Sequence, residues 1–288
     1  MCGIVGFFGN YKDFSKDDLI QMNNKIHHRG PDDEGYFIDE NLKIALAHKR
    51  LSILDLSTAG HQPMSSKSKR FTIVYNGEIY NFNDIKEELE KEKTYNWDGH
   101  SDTEVVLEAI EFYGIEKALN KFNGMFALSI VDKKEKVLYL ARDRYGKKPL
   151  YYTIQNNVLV FASELKALKQ HTIVNTSLNK KALDLYFKLG YIPTPYSIYE
   201  NIYKLESSSY MKVKLDDINS FEIKKYYKTN EVSSSIYNKE DALKKLEFLL
   251  EDSVQLRMIS DVSIGSFLSA GIDSSIATSI MQKHSSKK

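Results

Sequence analysis

Between residues 71 and 162 three pairs of β-rich runs follow one another, each pair joined by a short polar connection. FTIVYNGEIYNF (71–82) sets its two runs around Asn76-Gly77, the strongest short hairpin signal. MFALSIV and KVLYLA flank Asp132-Lys133-Lys134-Glu135, and PLYYTI and VLVFAS flank Gln155-Asn156-Asn157. Successive hairpins make neighbouring strands antiparallel. Helical periodicity at 16–26, 83–92 and 103–113 supplies covering helices, the last opening at Ser101 or Asp102 as N-cap. Residues 1 to about 170 therefore read as an α+β system, mostly antiparallel sheet with helices over it.

The second half has a different grain. From about 214 to 240 the chain turns polar, and Ser233-Ser234-Ser235 marks a linker. Leu243, Leu246, Leu250 and Val254 then recur at helical spacing. Val262 to Leu268 reads as a strand, SAGIDSS as a turn, and the stretch to Lys283 as a helix. That is the opening of an α/β nucleotide-binding unit, though about 50 residues cannot complete a doubly wound sheet.

Composition narrows the class. Forty Lys and Arg against 39 Asp and Glu leave a net charge of +1, so no global field recruits nucleic acid or an anionic membrane. No apolar run approaches the ~20 residues that cross a bilayer, and MCGIVGFFGN lacks the basic segment of a signal peptide. The expectation is a soluble, cytoplasmic protein. A single cysteine excludes an internal disulfide and a cysteine-based metal cage. His27, His28, His48, His61 and His100 follow no ligand spacing, so no metal is assigned. Ser163-Glu164-Leu165-Lys166 fits S-x-x-K, but its companion motifs are missing.

Each candidate reactive residue carries two readings. An arbitrary lone cysteine is a small buried hydrophobe, whereas Cys2, once Met1 is removed, holds a thiol and a free α-amine of pKa ~8 in one residue. Asn76-Gly77 is a turn, or a pair of donors for an oxyanion. Arg50 in LAHKRLSILDL is a charge at a strand edge, or a fork for a carboxylate. Asp102 is a helix cap or a ligand for a cation. Ser269 to Ser275 caps a helix, or offers N–H and hydroxyl donors to a pyrophosphate.

MCGIVGFFG, HRGPDDEG (28–35), LAHKRLSILDLSTAGHQPM (46–64), YNGEIYN (75–81), SDTEVVLEAI (101–110), FNGMFALSIVD (122–132), ARDRYGKKPLYY (141–152) and ASELKAL (162–168) stand in an order that resembles the glutamine-hydrolysing asparagine synthetases. The resemblance runs from Met1 to about Lys214 and resumes over 240–288. It implies a class II glutaminase domain at 1–214, a linker at 215–239 and the N-terminal part of a synthetase domain at 240–288. The implied fold is a four-layer α/β/β/α N-terminal-nucleophile hydrolase sandwich, followed by the beginning of an α/β PP-loop domain.

By that resemblance Cys2 attacks the glutamine side-chain amide, and Asn76 and Gly77 form the oxyanion hole. Arg50 takes the α-carboxylate, with Leu51, Ser52, Ile53 and Leu54 lining the same wall. Asp102, with Glu78 beside it, meets the α-amino group. In the second block, Leu268, Ser269, Gly271, Asp273, Ser274 and Ser275 match the family's ATP loop, whose usual form is S-G-G-x-D-S. Ala270 replaces its first glycine, where a methyl group crowds a phosphate or a φ > 0 backbone. KLESSSYMKV (204–213) likewise departs from the usual K-L-P-P-G-H segment.

The implied activity is hydrolysis of glutamine to glutamate and ammonia, with ammonia meant for ATP-dependent amidation of aspartate. ATP and Mg2+ serve the synthetase half and no cofactor serves the glutaminase. The expected partners are small molecules, with no nucleic acid or membrane and a homodimer left open. Two rival readings stand beside this one: a family member that amidates another acid, such as a sugar carboxylate, and a non-catalytic remnant of a broken gene.

Overall fold

A computed structural model describes residues 1–9, 14–229 and 238–285. The expected Ser233–Ser235 linker lies outside the described residues. The chain divides into two compact units, Met1–Lys228 and Thr229–Lys288.

Unit one begins β1 (Gly3–Phe8), α1 (Lys16–Asn24), β2 (Asp33–Asp39), β3 (Ile44–Arg50), β4 (Met64–Ser65), β5 (Phe71–Ile79), α2 (Phe82–Glu92), α3 (Asp102–Tyr113) and α4 (Ile115–Lys121). It continues β6 (Gly124–Asp132), β7 (Val137–Arg142), β8 (Tyr151–Gln155), β9 (Val158–Ala162), α5 (Leu165–Leu168), α6 (Lys180–Leu189), β10 (Ile202–Lys204), β11 (Ser209–Lys214) and β12 (Asp217–Lys225). The strands form two antiparallel sheets, ordered β10-β8-β9-β1-β3-β2 and β12-β11-β7-β6-β5-β4.

Side chains alternate across each strand, and both faces of β1 are apolar, so both must be covered. Ile4 and Phe8 join Ile44, Leu46, Val74, Ala127, Leu140, Phe161 and Met211 in a core between the sheets. Val5 and Phe7 point the other way, onto Leu19 and Met22 of α1 and Ala167 and Leu168 of α5. Helix α1 starts where Ser15 Oγ accepts the Asp17 N–H, with Asp17 and Asp18 in its first turn. On the far side of the second sheet, α3 buries Val105, Val106, Ala109 and Ile110. Helix, sheet, sheet, helix are the four expected layers.

Two sheet expectations change. Asn76-Gly77 is not a turn: β5 runs unbroken through it, with Asn76 opposite Ala127 and Gly77 opposite Phe126. Neither residue takes a positive φ. The glycine serves close approach instead, since a Cβ there would sit 2.6 Å from the Met125 carbonyl oxygen. The other two expected hairpins form: β6–β7, turning at Lys136 with φ 51°, and β8–β9, turning at Asn156 and Asn157 with φ 48° and 60°. Residues 217–225, inside the stretch expected as linker, pair with β11 as the edge strand β12. Its polarity belongs to an exposed sheet edge.

Unit two holds α7 (Lys239–Leu256) and α8 (Ile272–His284). Asn238 Oδ1 caps α7 by accepting the Asp241 N–H. The expected strand at Val262–Leu268 is absent: these residues form neither helix nor strand. A strand's N–H and C=O groups need a neighbouring strand, and the described residues of unit two contain none. No helix among the described residues is long and apolar enough to cross a membrane.

Candidate active site

Cys2 stands at the N-terminal end of β1, in the middle of the first sheet. The next residues are fixed: Gly3 pairs with Lys49 and Ile4 with His48 on β3. Ile4 also exchanges bonds with Ser163, its N–H donating to Oγ and its carbonyl accepting the Ser163 N–H. Arg29 Nε donates to the Cys2 carbonyl (2.8 Å) while its Nη1 donates to Glu164 (2.9 Å). Burial opposes ionisation of Glu164, but Arg29, Lys166 and His28 hold it down at about 2, so the clamp stays charged.

The thiol exchanges long contacts with Leu51, donating to its carbonyl (3.6 Å) and accepting its N–H (3.4 Å). Burial pushes the Cys2 thiol above its ordinary value, against the Leu51 N–H, the N-terminal amine and Lys148. A thiol so placed needs a base to become a nucleophile.

Cys2 opens into a cavity of roughly 130 Å3, comparable to cavities that hold a small molecule. One wall is the edge of β5. In an antiparallel ladder, N–H groups alternate between the partner strand and the opposite side. Tyr75 N–H donates away from β6, to Gln62 Oε1 (2.7 Å), and Ile79 N–H does the same to Asp102 Oδ2 (2.8 Å). Phe126, opposite Gly77, exchanges its N–H and C=O bonds with Asp143. Gly77 N–H, between those of Tyr75 and Ile79, therefore faces the cavity.

Beside it Asn76 is 1 % exposed, and neither its Oδ1 nor its Nδ2 has a partner among the described residues. A buried amide left unpaired costs about 1–3 kcal/mol, which a ligand oxygen would relieve.

Arg50, Leu51, Ile53, Leu54, Glu78 and Asp102 line the same cavity. Ser52 does not; its N–H donates to Asp32 at 2.8 Å. Arg50 is buried, and its guanidinium donates to the Leu54, Asp55 and Ser57 carbonyls, so it folds the 51–60 loop over the cavity as well as facing it. Gly60 gives it room, since a Cβ there would lie 1.9 Å from Nη2. The Asp102 carboxylate, in the first turn of α3, accepts from Tyr75 Oη and the Ile79 N–H, both at 2.8 Å. Burial raises its pKa against those bonds. The buried Arg50 and Asp102 thus line the same cavity as the thiol, Asn76 and Gly77.

Lys148, Gln62, Tyr75, Thr103 and Met125 also line the cavity and were not singled out in the sequence. Lys148 lies within ARDRYGKKPLYY, but a lysine beside another lysine reads as a solvated charge. Among the described residues no three His, Cys, Asp or Glu side chains gather as a metal site.

In unit two the candidate ATP-loop residues bond to one another. Ser269 Oγ and Ser274 Oγ are 2.8 Å apart, Gly271 N–H donates to Ser269 Oγ, and Ser275 Oγ donates to the Gly271 carbonyl. Leu268, Ser269, Gly271, Asp273 and Ser275 are exposed and Ser274 is half-buried. Neither Ala270 nor Gly271 adopts a positive φ, so the lost glycine strains nothing. The loop lies at the N-terminus of α8.

The glutamine amidotransferase domain model matches residues 1–227, and the asparagine synthase model matches 245–288. A Methanocaldococcus jannaschii protein named putative asparagine synthetase (glutamine-hydrolyzing) 2 is 41% identical, over 98% of this chain and 57% of its own length. Bacillus subtilis asparagine synthetase (glutamine-hydrolyzing) 1 is also 41% identical, over 98% of this chain and 44% of its own length. The chain spans about half the length of these curated relatives. The solved glutamine phosphoribosylpyrophosphate amidotransferase of B. subtilis superposes with a TM-score of 0.58 at 16% identity, covering 98% of this chain and 64% of that one. At that identity the likeness concerns the fold, the four-layer N-terminal-nucleophile sandwich. With a domain model matching nearly four-fifths of its length, the chain belongs to the glutamine amidotransferase domain family.

Proposed function

We propose that unit one hydrolyses L-glutamine to glutamate and ammonia, with Cys2 as nucleophile. One observation carries the reading: the unpaired Asn76 amide and the outward Gly77 N–H share a small cavity with the thiol at the chain's N-terminus. Removal of Met1 frees the Cys2 α-amine, which takes the thiol proton as Sγ attacks the side-chain carbonyl carbon. The new oxyanion is held by Gly77 N–H and Asn76 Nδ2. The amine returns the proton as the C–N bond breaks and ammonia leaves. Water then attacks the thioester, the oxyanion donors act a second time, and glutamate departs with the thiol restored. Arg50 holds the substrate α-carboxylate through the donors its loop does not use, and Asp102 with Glu78 holds the α-amino group.

In the whole protein, the names of the relatives, asparagine synthetases that hydrolyse glutamine, support use of the ammonia to make asparagine, and ATP with Mg2+ driving that amidation of aspartate is part of the same proposal. Leu268, Ser269, Gly271, Asp273, Ser274 and Ser275 would join that nucleotide site, at the helix N-terminus that suits a phosphate. Cytoplasmic residence and a homodimer complete the reading. Ammonia release from glutamine by the Met1-free chain tests it. Cys2→Ala is expected to fall more than ~10³-fold, to background, and Cys2→Ser nearly as far. Undiminished release from Cys2→Ala would sink the mechanism.

A further inference from the structure

The Lys148 side chain is buried against the nucleophile without a carboxylate partner. It is 4 % exposed, lines the Cys2 cavity, and its Nζ donates to Met1 Sδ at 3.2 Å. Among the described residues no Asp or Glu forms an ion pair with it. Burying an unpaired ammonium is costly, so such a group marks a place where a negative charge is due.

The loop that presents it is held from both ends. Asp143, fully buried, accepts the N–H groups of Tyr145, Lys147 and Lys148 and that of Phe126. Arg142 donates to the carbonyls of Gly146, Lys148 and Leu205. The turn is thereby bolted to Phe126, the β6 residue opposite Gly77. One buried carboxylate and one half-buried guanidinium fix where the Lys148 turn sits.

Met1 is the one side chain with which the Lys148 ammonium makes a described contact, and Met1 is the residue that the proposed glutaminase discards. We propose that Lys148 is a positioning residue for Cys2: once Met1 is removed, its ammonium stands beside the thiol and the freed α-amine and stabilises the anionic sulfur that forms as the amine takes the thiol proton. The inference rests on the glutaminase reading only for the loss of Met1. The charged groups acting on the pair are the N-terminal amine, Arg29, Asp32, Glu78, Asp102 and Asp143. Burial lowers the lysine and raises the thiol, while the charge of each opposes that shift in the other.

The chain has one cysteine, so alkylation by iodoacetamide reports Cys2 alone. The rate is measured against pH on Met1-free protein, with intact mass confirming processing and circular dichroism confirming the fold. In Lys148→Met the midpoint is expected to rise by about one pH unit, because an opposite charge beside a titrating group shifts it by ~1–3 units. Lys148→Arg keeps the charge and is expected to keep the midpoint. The acid limb of kcat for glutamine should move with it, leaving KM in place. Coincident alkylation curves for folded Lys148→Met and the parent would overturn the proposal, as would a Lys148→Arg curve displaced as far as that of Lys148→Met. A parent chain that shows the Lys148-dependent midpoint yet releases no ammonia would defeat the glutaminase reading and leave this one standing.

Discussion

In unit one, α1 lays Leu19 and Met22 onto the first sheet and both are fully buried. In unit two, α7 carries Leu243, Leu246 and Leu249 at helical spacing and leaves them 55, 52 and 50 % exposed. The two helices have comparable amphipathic patterns, and the contrast lies in what faces them. Unit one sets two sheets between two helical layers, whereas no residue of α7 or α8 is buried. Amphipathicity is a local property of sequence; burial needs a second layer, and long-range strand pairing supplies it only in unit one.

Hydrogen exchange should show the contrast at its largest. Amides of β1, β3 and β9 open only with the whole unit, at a cost of about 5–15 kcal/mol, whereas those of α7 and α8 should exchange with little protection. Protection in 239–284 equal to that of β1 would break the comparison and mean that the helix pair shares the core's cooperativity.

Truncation of core side chains gives the next largest effect. Phe161 is fully buried between the sheets, so Phe161→Ala should cost ~3–5 kcal/mol in urea unfolding. Leu246→Ala removes a side chain already half in water and should cost less than ~1 kcal/mol. Equal losses would show that α7 is covered in solution.

Local signals made some of this legible in sequence and hid the rest. The β6–β7 and β8–β9 hairpins were readable because their polar connections sit at the turns, where Lys136, Asn156 and Asn157 take the positive φ. Asn76-Gly77 carries the same letters for another reason, backbone approach to β6, which no local pattern distinguishes from a turn. Strand β12 is polar because it is an edge, and polarity alone reads as linker. The cavity residues came chiefly from the family resemblance. Arg50 and Asp102 keep side-chain duties inside the fold, one holding a loop and the other joining Tyr75 to Ile79, that position in sequence does not disclose. Lys148 was obscured because its burial depends on Asp143 and Arg142 folding the turn inward, a tertiary fact.

Acid sharpens the comparison in the smallest but most specific way. Unit one buries a base between its sheets: His48 is fully buried, its Nε2–H donates to the Tyr75 carbonyl (3.0 Å), and its Nδ1 has no partner among the described residues. Desolvation drives its pKa down to about 3, against the Tyr75 bond. The unfolded imidazole takes a proton near its ordinary value of about 6.5, while the folded one stays neutral. Between those values the unfolded state binds more protons, so stability rises with pH and falls as pH drops, by ~1.4 kcal/mol per unit. In unit two the Glu251 pairs with Lys283 and His284 lie at the surface, where such pairs are worth little. Urea unfolding of unit one between pH 6.5 and pH 4 should therefore lose stability more steeply in the parent than in His48→Gln, whatever offset the substitution itself brings. Parallel slopes would mean that His48 already carries a proton in the folded protein, and the bond to Tyr75 would then be made by an imidazolium.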